Sequence, residues 1–486
     1  MVDKSKLEKL NSLKLLGINP YPYSFNQSNV SEQIKTNFAK FEGKAVSVAG
    51  RIMRLRHMGK LYFLDLLDSS GNIQILVREG AAAPSTMQML KFVDIGDIVG
   101  AEGHVMKTNK GEISVDTEKI TMLSKSLSTL PEKFHGLSDV ETRYRKRHLD
   151  LIINQDTRKI FATRRDIISY IRNFLDSRGY LEVETPILQS VYGGANAKPF
   201  KTHHNALNAD LFLRISDELY LKRLIIGGIE RVYEFSRDFR NEDIDSTHNP
   251  EFTMLEFYEA YGDYNTYMRL SEELLSGLAI KIKGSEKFDY QSRKVDFKPP
   301  FRRISYVDEI KRLSGIDISE MSDGDAANIA AKEKLSIPIK NSFHVADALF
   351  DKYIKPDLWD PTFIVDYPGY MCHLTKDKRG NSKLSERFEM YVCGKEISNS
   401  YSELTDPLEQ RRKFKEQAQE RKKGDDEMPP LDEDFLDAIE YGMPPTAGIG
   451  IGIDRLVMIL TDNISIKEVI LFPSVKPEPK NANDDQ

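Results

Sequence analysis

The first part of the chain carries apolar side chains at helical spacing. They recur at every third residue as Leu7, Leu10, Leu13 and Leu16. Gly17 follows them as a C-cap signal, so the pattern predicts a helix at the start of the chain. Residues 31–41 predict a second helix. We therefore interpret residues 1–44 as an N-terminal helical extension.

From Ala45 onward the apolar positions alternate in short runs, a pattern typical of strands. The runs follow one another at residues 46–52, 61–67, 73–77, 98–105 and 113–120. Five short strands with tight turns favour a small Greek-key barrel such as the OB-fold. We therefore predict an OB-fold β-barrel over residues 45–125.

Residues 126–156 show no clear periodicity and are predicted to be a linker. Their basic run consists of Arg143, Arg145, Lys146 and Arg147. Such a run is either a solvated connector or a contact for a phosphate backbone or a partner subunit. The sequence leaves both readings open.

A second domain is predicted over residues 157–486. An apolar stripe at residues 160–175 predicts a long helix with Thr157 as its N-cap. Strand-like segments follow at residues 181–188, 211–216, 232–239, 252–261, 363–367, 386–392 and 396–404, and a polar helix at residues 407–423. Hairpin-length turns join most of these strands, which predicts a largely antiparallel sheet flanked by helices. The expected fold class is therefore α+β.

Composition narrows the class of protein. The chain has 486 residues, of which 40% are hydrophobic and 30% charged, as in soluble proteins of two or more domains. It contains no apolar run of about 18 residues and no signal-peptide core, so we expect a cytoplasmic protein without a membrane span. A net charge of −6 argues against a bulk polyanion binder but allows a local basic surface. Cys372 and Cys393 show neither disulfide nor metal spacing.

Two predicted strands carry carboxylates on mixed polar faces. Alternation puts Phe252, Met254, Glu256 and Tyr258 on one face, and Asn399, Tyr401 and Glu403 on another. Each face could be an ordinary solvent-exposed surface. If both offered carboxylates to one desolvated site, that site would prefer a ligand with an ammonium group.

Two further segments have features of an anion site. Arg240 precedes a polar loop that leads to His248, and an arginine can bind a carboxylate and a phosphate at once. Glycines alternate at residues 448–452 and clear one strand face for a flat group, and Arg455 follows where a helix begins. A plain hairpin and a tightly packed strand–helix crossing are the alternative readings.

An acidic pair flanks a predicted hairpin turn. Glu389 and Glu396 lie on either side of Gly394 and could hold Mg²⁺ through oxygen ligands. Acidic pairs across hairpins are common, so the spacing alone is weak evidence. Strand parity would also turn Glu396 away from Asn399 unless a bulge intervenes.

These segments, in this order, resemble the three signature motifs of class II aminoacyl-tRNA synthetases of the subgroup serving lysine, aspartate and asparagine. Residues 179–186 resemble motif 1, residues 239–252 motif 2 and residues 448–455 motif 3. Residues 193–200, 203–205 and 218–224 are similar to the lysyl members of the subgroup. The resemblance extends from Gly17 to Pro473.

The resemblance implies activation of L-lysine with ATP and transfer to tRNA, with Mg²⁺ as the cofactor. It implies a homodimer, because motif 1 pairs across a two-fold axis in this family. The implied ATP contacts are Arg240, Glu242, His248, Asn249, Phe252 and Arg455, with Arg240 and Arg455 catalytic. The implied lysine contacts are Gly194, Glu218, Arg240, Glu256, Tyr258, Asn399, Tyr401 and Glu403. Glu389 and Glu396 would bind Mg²⁺, and Arg54, Phe63, Gln74 and Glu112 an anticodon base.

Three positions depart from the family's pattern. Asp243 stands where glycine is usual, Thr247 where many bacterial members have arginine, and Ser400 where glycine or alanine is usual. The first two bear on affinity for the triphosphate rather than on the reaction class.

Three other interpretations stay open at this point. An aspartyl or asparaginyl synthetase has the same motifs, although Glu256 and Glu403 would repel an acidic side chain. A paralogue that lysylates a protein would resemble the catalytic domain alone, and the predicted barrel argues against it. A non-catalytic tRNA-binding protein of the same fold is disfavoured, because the catalytic and metal-binding residues are all present.

Overall fold

The computed structural model describes residues 2–131, 137, 139–422 and 427–477. The chain divides into two compact units, Met1–Ser138 and Asp139–Gln486. Among the described residues, no helix is both long enough and apolar enough to cross a membrane.

The first unit is a closed five-stranded barrel. Its strands are β1 (Ala45–Met58), β2 (Leu61–Leu67), β3 (Asn72–Arg78), β4 (Ile98–Lys107) and β5 (Ile113–Ser124). They follow the order β1-β2-β3-β5-β4, in which β3 and β5 pair in parallel. Its helices are α1 (Lys4–Leu15), α2 (Ser31–Thr36), α3 (Phe38–Phe41) and α4 (Pro84–Leu90). The predicted barrel strands are confirmed.

Helix α4 is the element of this unit that the sequence pattern does not predict. Seven residues are too few to establish a helical period, although Pro84 at the first position is a helix-start signal. Its buried residues Thr86, Met89 and Leu90 lie at helical spacing and face the barrel. Tertiary packing therefore stabilises this helix, because an isolated helix of this length is unstable in water.

The second unit is built on a sheet of nine strands within the described residues, beside two small sheets with the orders β7-β9-β8 and β12-β13. The strands of the three sheets are β6 (Leu181–Glu182), β7 (Leu188–Gln189), β8 (Lys201–His204), β9 (Ala209–Leu213), β10 (Arg231–Phe239), β11 (Glu251–Ala260), β12 (Lys287–Tyr290), β13 (Arg293–Asp296), β14 (Arg302–Ser305), β15 (Thr362–Pro368), β16 (Asp377–Lys378), β17 (Asn381–Val392), β18 (Lys395–Ser402) and β19 (Thr446–Gly452). The main sheet has the order β14-β15-β17-β18-β19-β11-β10-β6, and β16 pairs with β17. The pairs β6–β10 and β14–β15 are parallel and the others antiparallel, which confirms the predicted sheet.

Helices flank this sheet. They are α5 (Val140–Arg145), α6 (Arg147–Ile153), α7 (Gln155–Asp176), α8 (Glu218–Ile226), α9 (Tyr264–Lys283), α10 (Tyr306–Ser314), α11 (Asp323–Glu333), α12 (Ser342–Tyr353), α13 (Pro407–Lys422), α14 (Glu433–Glu440), α15 (Ile453–Leu460) and α16 (Ile466–Val469). The apolar stripe of α7 packs with α9 and α15 against one face of the central strands. Leu255 and Phe257 of β11 are fully buried in that core. The opposite face of β11 lines a cavity.

The basic run at residues 143–147 spans the end of α5 and the start of α6, and Arg143 and Arg147 form hydrogen bonds within the second unit. The Arg147 side chain is fully buried; its Nη1 donates to Asp150 Oδ2 (2.6 Å) and its Nε to the carbonyl oxygen of Leu471 (2.9 Å). Arg143 Nε donates to the same aspartate (2.9 Å). A buried arginine needs partners of this kind to replace its hydration. Arg147 is therefore neither a solvated connector nor a phosphate contact.

Candidate active site

A cavity of about 390 Å³ opens on the free face of β11, β18 and β19. Among its lining residues are Gly194, Glu218, Arg240, Glu242, His248, Asn249, Phe252, Glu256, Tyr258, Glu389, Glu396, Asn399, Tyr401 and Arg455. These are all of the residues that the sequence predicts for ATP, lysine and Mg²⁺ except Glu403. The Glu403 carboxylate is buried just behind the cavity wall, beside Gly448.

Pairing of β11 with β19 explains the alternating glycines. Tyr258 faces Gly448 and Glu256 faces Gly450 across the two strands. A Cβ atom on Gly448 would collide with the Tyr258 ring and with Glu403 Oε1. Glycine at this position therefore lets a phenol and a carboxylate approach the strand at the end of the cavity.

A β-bulge brings Glu396 to the cavity. Met390 pairs with Ser398, but the next residue, Tyr391, pairs with Glu396, so Ile397 is the extra residue on β18. The bulge reverses the alternation, and Glu396 lines the same cavity as Asn399. This removes the difficulty that simple strand parity raised.

A buried lysine of the chain itself lies among the cavity's carboxylates. Lys222 Nζ is 2.5 Å from Glu218 Oε1 and forms a second ion pair with Glu403 Oε2. The Tyr401 hydroxyl donates to the other oxygen of Glu218 (2.5 Å). Burial opposes the charge on Lys222, but Glu218 and Glu403 outweigh it and raise the pKa of the ammonium group. Sequence reasoning missed Lys222, although it stands four residues after Glu218 on one helix, a spacing that allows an ion pair.

Glu256 lies next to this ion-pair cluster and is held by two hydroxyl groups. Ser216 Oγ donates to its Oε1 (3.0 Å), and the Tyr258 hydroxyl donates to its Oε2 (2.8 Å). Burial, followed by the charges of Glu218 and Asp238, raises the pKa of Glu256 to about 8. The pocket therefore favours a positive charge beside this carboxylate.

Arg240 carries an unused donor into the cavity. Its Nε is buried and makes no hydrogen bond to the described residues. Its guanidinium carbon lies 5.1 Å from the centre of the Phe252 ring, so a cation–π contact holds the planar group. A buried donor without a partner is rare in proteins and indicates a position for an anionic ligand.

Arg455 and His248 form a hydrogen-bonded chain at the same cavity. Arg455 Nη2 donates to His248 Nε2 (3.1 Å), because an arginine can only donate. His248 Nδ1 then donates to Asp245 Oδ2 (2.8 Å), and this contact helps to lower the pKa of Asp245. The side chain of Asn249, the next residue, is fixed by the backbone: its Nδ2 donates to the carbonyl oxygen of Glu251 (2.6 Å), and its Oδ1 accepts from the Ser474 amide (3.0 Å).

The acidic pair Glu389 and Glu396 also faces the cavity. Arg387 Nη2 donates to Glu389 Oε1 (2.5 Å), and Arg387 Nε donates to Asn399 Oδ1 (3.0 Å). Burial, followed by the charge of Glu389, raises the pKa of Glu396, so the two carboxylates are close enough to repel each other. Their oxygens are donors that suit Mg²⁺, which usually takes one or two carboxylates and completes its shell with water and phosphate. Sequence reasoning did not single out Arg387.

The three departures from the family's pattern have different surroundings. Ser400 is buried and its hydroxyl donates to the carbonyl oxygen of Gly448 (2.7 Å), so it fixes the glycine strand from behind. The hydroxyl of Thr247 binds Asp245 (3.0 Å). Asp243 is exposed and lines the cavity. It therefore adds negative charge at the loop that carries Arg240 and His248.

The barrel of the first unit places two of its predicted residues, Arg54 and Gln74, in one row of paired positions. The row crosses β1, β2, β3 and β5 as Arg54, Asp65, Gln74 and Ser114. Arg56 pairs with Phe63 next to this row, and its guanidinium carbon lies 5.8 Å from the ring centre. Glu112 ends the turn before β5, and its carboxylate is 3.9 Å from Lys35 Nζ. The face combines exposed arginines with an aromatic ring, the combination that binds single-stranded nucleic acid.

Two family models match the chain. The model of class II tRNA synthetases (D, K and N) matches residues 139–476, and that of the OB-fold nucleic acid binding domain matches residues 46–123. The chain therefore belongs to the class II tRNA synthetases that serve aspartate, lysine and asparagine. This confirms the family and the fold that the sequence motifs indicate.

Three relatives that match nearly the whole chain are lysine–tRNA ligases. The lysine–tRNA ligase of Syntrophomonas wolfei is 47% identical over 481 residues, which cover 99% of this chain and 98% of the relative. That of Thermoanaerobacter sp. (strain X514) is 48% identical over 476 residues, or 97% and 95% of the two chains. That of Clostridium novyi is 48% identical over 481 residues, or 98% and 94%.

Proposed function

We propose that this chain is a lysine–tRNA ligase. It activates L-lysine with ATP to lysyl-adenylate and pyrophosphate, and then transfers lysine to the 3′-terminal adenosine of its tRNA. One observation carries the choice of amino acid: the cavity has an unpaired buried donor on Arg240, and an unpartnered carboxylate oxygen of Glu403 lies just behind its wall. Lysine has a carboxylate at one end and an ammonium at the other, and the near-full-length relatives are lysine–tRNA ligases.

Charge balance supports the same assignment. Glu218, Glu256 and Glu403 supply three carboxylates, and the ammonium of Lys222 neutralises one of them. The two ammonium groups of lysine balance the other two. Glu218 and the Gly194 backbone receive the α-ammonium, and Glu403 with Glu256 receives the ε-ammonium, in a pocket wall formed by Tyr258, Asn399 and Tyr401. Aspartate would add a negative charge to this site, and asparagine would leave a buried carboxylate uncompensated.

The first reaction step requires no general base. The lysine carboxylate is ionised at neutral pH; its oxygen attacks the α-phosphorus, and the bond to the bridging oxygen breaks as pyrophosphate leaves. Arg240 holds the carboxylate and the α-phosphate together, and Arg455 with His248 neutralises the outer phosphates. Phe252 stacks on adenine, and Glu242 and Asn249 complete the ATP site. A hydroxyl of the tRNA ribose then attacks the activated carbonyl carbon, and AMP leaves.

Glu389 and Glu396 are the residues that would hold Mg²⁺. When bound, the ion supplies positive charge to the oxygens of the triphosphate. Arg387 orients Glu389 and Asn399 together, so the metal side and the lysine side of the cavity share one fixed arginine.

Charging of tRNA tests the complete function. The full-length protein, incubated with ATP, Mg²⁺, labelled lysine and total bacterial tRNA, should place the label on the 3′ end of tRNA. Prior oxidation of the terminal ribose with periodate should abolish the incorporation. Absence of charging with lysine, or equal charging with asparagine, would contradict the proposal. We place this activity in the cytoplasm, where tRNA is charged.

The barrel face gives a prediction on tRNA affinity. Stacking of a base on an aromatic side chain contributes about 1–3 kcal/mol, so Phe63→Leu should raise the KM for tRNA about 5- to 150-fold. Arg54, Gln74 and Glu112 contact the same base in this proposal. Steady-state charging kinetics give the KM, and ATP–pyrophosphate exchange without tRNA should stay unchanged. Tyr23→Leu, at an exposed aromatic residue outside the five barrel strands, is the matched control; equal KM values for the two variants would refute the contact.

The sheet edge gives a prediction on assembly. Strand β6 ends the main sheet, and Leu181, Ile187 and Leu188 beside it are 52%, 42% and 49% exposed. Apolar side chains at an open sheet edge favour a protein contact, and we propose a homodimer through this surface. Sedimentation at micromolar protein should give twice 55.6 kDa. Ile187→Asp should give the monomer mass, whereas Leu207→Asp, at an exposed leucine elsewhere, should not. A wild-type monomer would contradict the dimer.

A further inference from the structure

Three carboxylates meet beneath the floor of the cavity. Asp217 comes from the residue before α8, Asp238 from β10 and Glu256 from β11. One oxygen of each lies within 4.8 Å of the others. Glu256 lines the cavity, whereas Asp217 and Asp238 lie behind it and are 0% and 1% exposed. The cluster is therefore closed to bulk water except through the cavity.

Two of these carboxylates each have a buried oxygen without a hydrogen-bond partner. Asp217 Oδ2 and Asp238 Oδ2 are buried and form no hydrogen bond with the described residues. Asp217 precedes a helix, yet its side chain does not cap that helix. Its other oxygen has only a long hydrogen bond from the Ser236 hydroxyl (3.4 Å). Buried carboxylate oxygens without donors are costly, and they indicate a ligand that supplies positive charge.

Two neighbouring cations are already engaged, and a third, Arg240, acts on Asp238 from the cavity wall, where it stacks on Phe252. Arg214 Nε lies 3.4 Å from Asp238 Oδ1, but Nη1 of the same guanidinium is 2.7 Å from Glu234 Oε1. Lys222 pairs with Glu218 and Glu403. The ammonium groups of bound lysine balance Glu218, Glu256 and Glu403 together with Lys222. Asp217 and Asp238 then share the charges of Arg214, which also pairs with Glu234, and of Arg240, which faces the cavity, so the two aspartates are only partly compensated.

We propose that Asp217, Asp238 and Glu256 form a site for an oxygen-preferring divalent cation, separate from the acidic pair Glu389 and Glu396. Because these carboxylate oxygens lie within 4.8 Å of one another, small side-chain rotations bring all three to one ion at the Mg²⁺ or Ca²⁺ distances of about 2.0–2.6 Å. A divalent ion neutralises the two aspartates and leaves the charge of Glu256 for the substrate ammonium. It enters through the cavity, because Glu256 is the member of the cluster that lines it.

The titration behaviour of the aspartates agrees with this geometry. Burial raises the pKa of Asp238 to about 6 and raises that of Asp217 well above its usual range, with the neighbouring carboxylates adding to the effect on Asp217. Three buried carboxylates in contact cannot all ionise without either protons or a cation among them. Protons are therefore the competing occupant, and the experiment separates the two.

Counting bound ions tests the site. The full-length protein is stripped with a chelator, titrated with Mn²⁺ without ATP or lysine, and free Mn²⁺ is measured by electron paramagnetic resonance. Two double variants separate the sites: D217N/D238N removes the charge of the cluster at constant shape, and E389Q/E396Q removes the acidic pair. We expect D217N/D238N to bind one Mn²⁺ fewer than wild type. The E389Q/E396Q protein should retain that ion. The E389Q/E396Q protein decides the question even if D217N/D238N fails to fold.

Thermal unfolding provides a second readout. Mn²⁺ or Mg²⁺ should raise the Tm of wild type and of E389Q/E396Q, and it should raise the Tm of D217N/D238N less than that of wild type, because that variant keeps only the acidic pair. In chelator, D217N/D238N should melt above wild type, because it lacks the buried repulsion. Equal ion counts in wild type and D217N/D238N would overturn the proposal, as would a wild-type Tm that rises on mild acidification but ignores Mn²⁺. The site does not depend on the amino acid activated, so loss of lysine-dependent exchange with the ion still bound would count against the proposed function alone.

Discussion

Replacing Arg240 with lysine will lower kcat for lysine-dependent ATP–pyrophosphate exchange by about 10²- to 10³-fold, the usual effect of removing one preorganised donor at a reacting oxyanion. The arginine fork binds two oxygens at once, and stacking on Phe252 fixes its plane. A lysine keeps the charge but loses both the second donor and the stacked plane. The KM values for lysine and ATP should change much less than kcat, because the lost contact aligns the reacting groups rather than holding the substrates.

Arg237→Lys is the matched control for this result. Arg237 is on β10, three residues before Arg240, and its Nη1 donates to Thr253 Oγ1 (2.9 Å) instead of lining the cavity. Its exchange activity should stay near that of wild type. Similar kcat values for Arg240→Lys and Arg237→Lys would remove Arg240 from the reaction.

Neutralising Glu403 should strongly raise the KM for lysine. Glu403→Gln leaves Lys222 with Glu218 as its remaining ion-pair partner and removes the acceptor for the ε-ammonium. Breaking a buried pair costs about 3–5 kcal/mol, which corresponds to a lysine KM raised about 10²- to 10³-fold or more. The KM for ATP should not change, because Glu403 lies at the end of the cavity behind Gly448. Exchange kinetics with each substrate varied in turn separate the two constants.

Glu409→Gln serves as the control for loss of a carboxylate. Glu409 forms a surface ion pair with Arg412 on α13, and such pairs contribute about 0–1 kcal/mol. Neither KM should move in that variant. An unchanged lysine KM in Glu403→Gln would show that the ammonium binds elsewhere.

Strand alternation predicts much of the site because it is a local property. The face with Glu256 and Tyr258, and the glycines that clear β19, can be deduced from spacing alone. The position of Glu396 cannot, because the bulge at Ile397 depends on how β18 pairs with β17. The family was identified from the sequence motifs, because the alternation of side chains along the strands does not distinguish one family from another.

Buried charges were harder to predict. Lys222 has a local signal, since it follows Glu218 by one helical turn. Asp217 and Asp238 belong to different elements and meet only in the folded chain. Arg147 was equally hard to predict. Its basic run indicated an exposed side chain, whereas the carbonyl groups that bind it belong to residues more than 300 positions later.

Amino-acid-dependent ATP–pyrophosphate exchange without tRNA tests the central claim most directly. Lysine, ornithine, arginine, aspartate and asparagine are compared at equal concentration with Mg²⁺. We expect strong exchange with lysine and none with aspartate or asparagine, because Glu256 and Glu403 require an ammonium group at the end of the cavity. Exchange with ornithine should be about 5- to 150-fold slower than with lysine, because its missing methylene removes about 1–3 kcal/mol of binding free energy. Exchange driven by aspartate or asparagine would contradict the pocket assignment, and no exchange with any of the five would contradict catalysis itself.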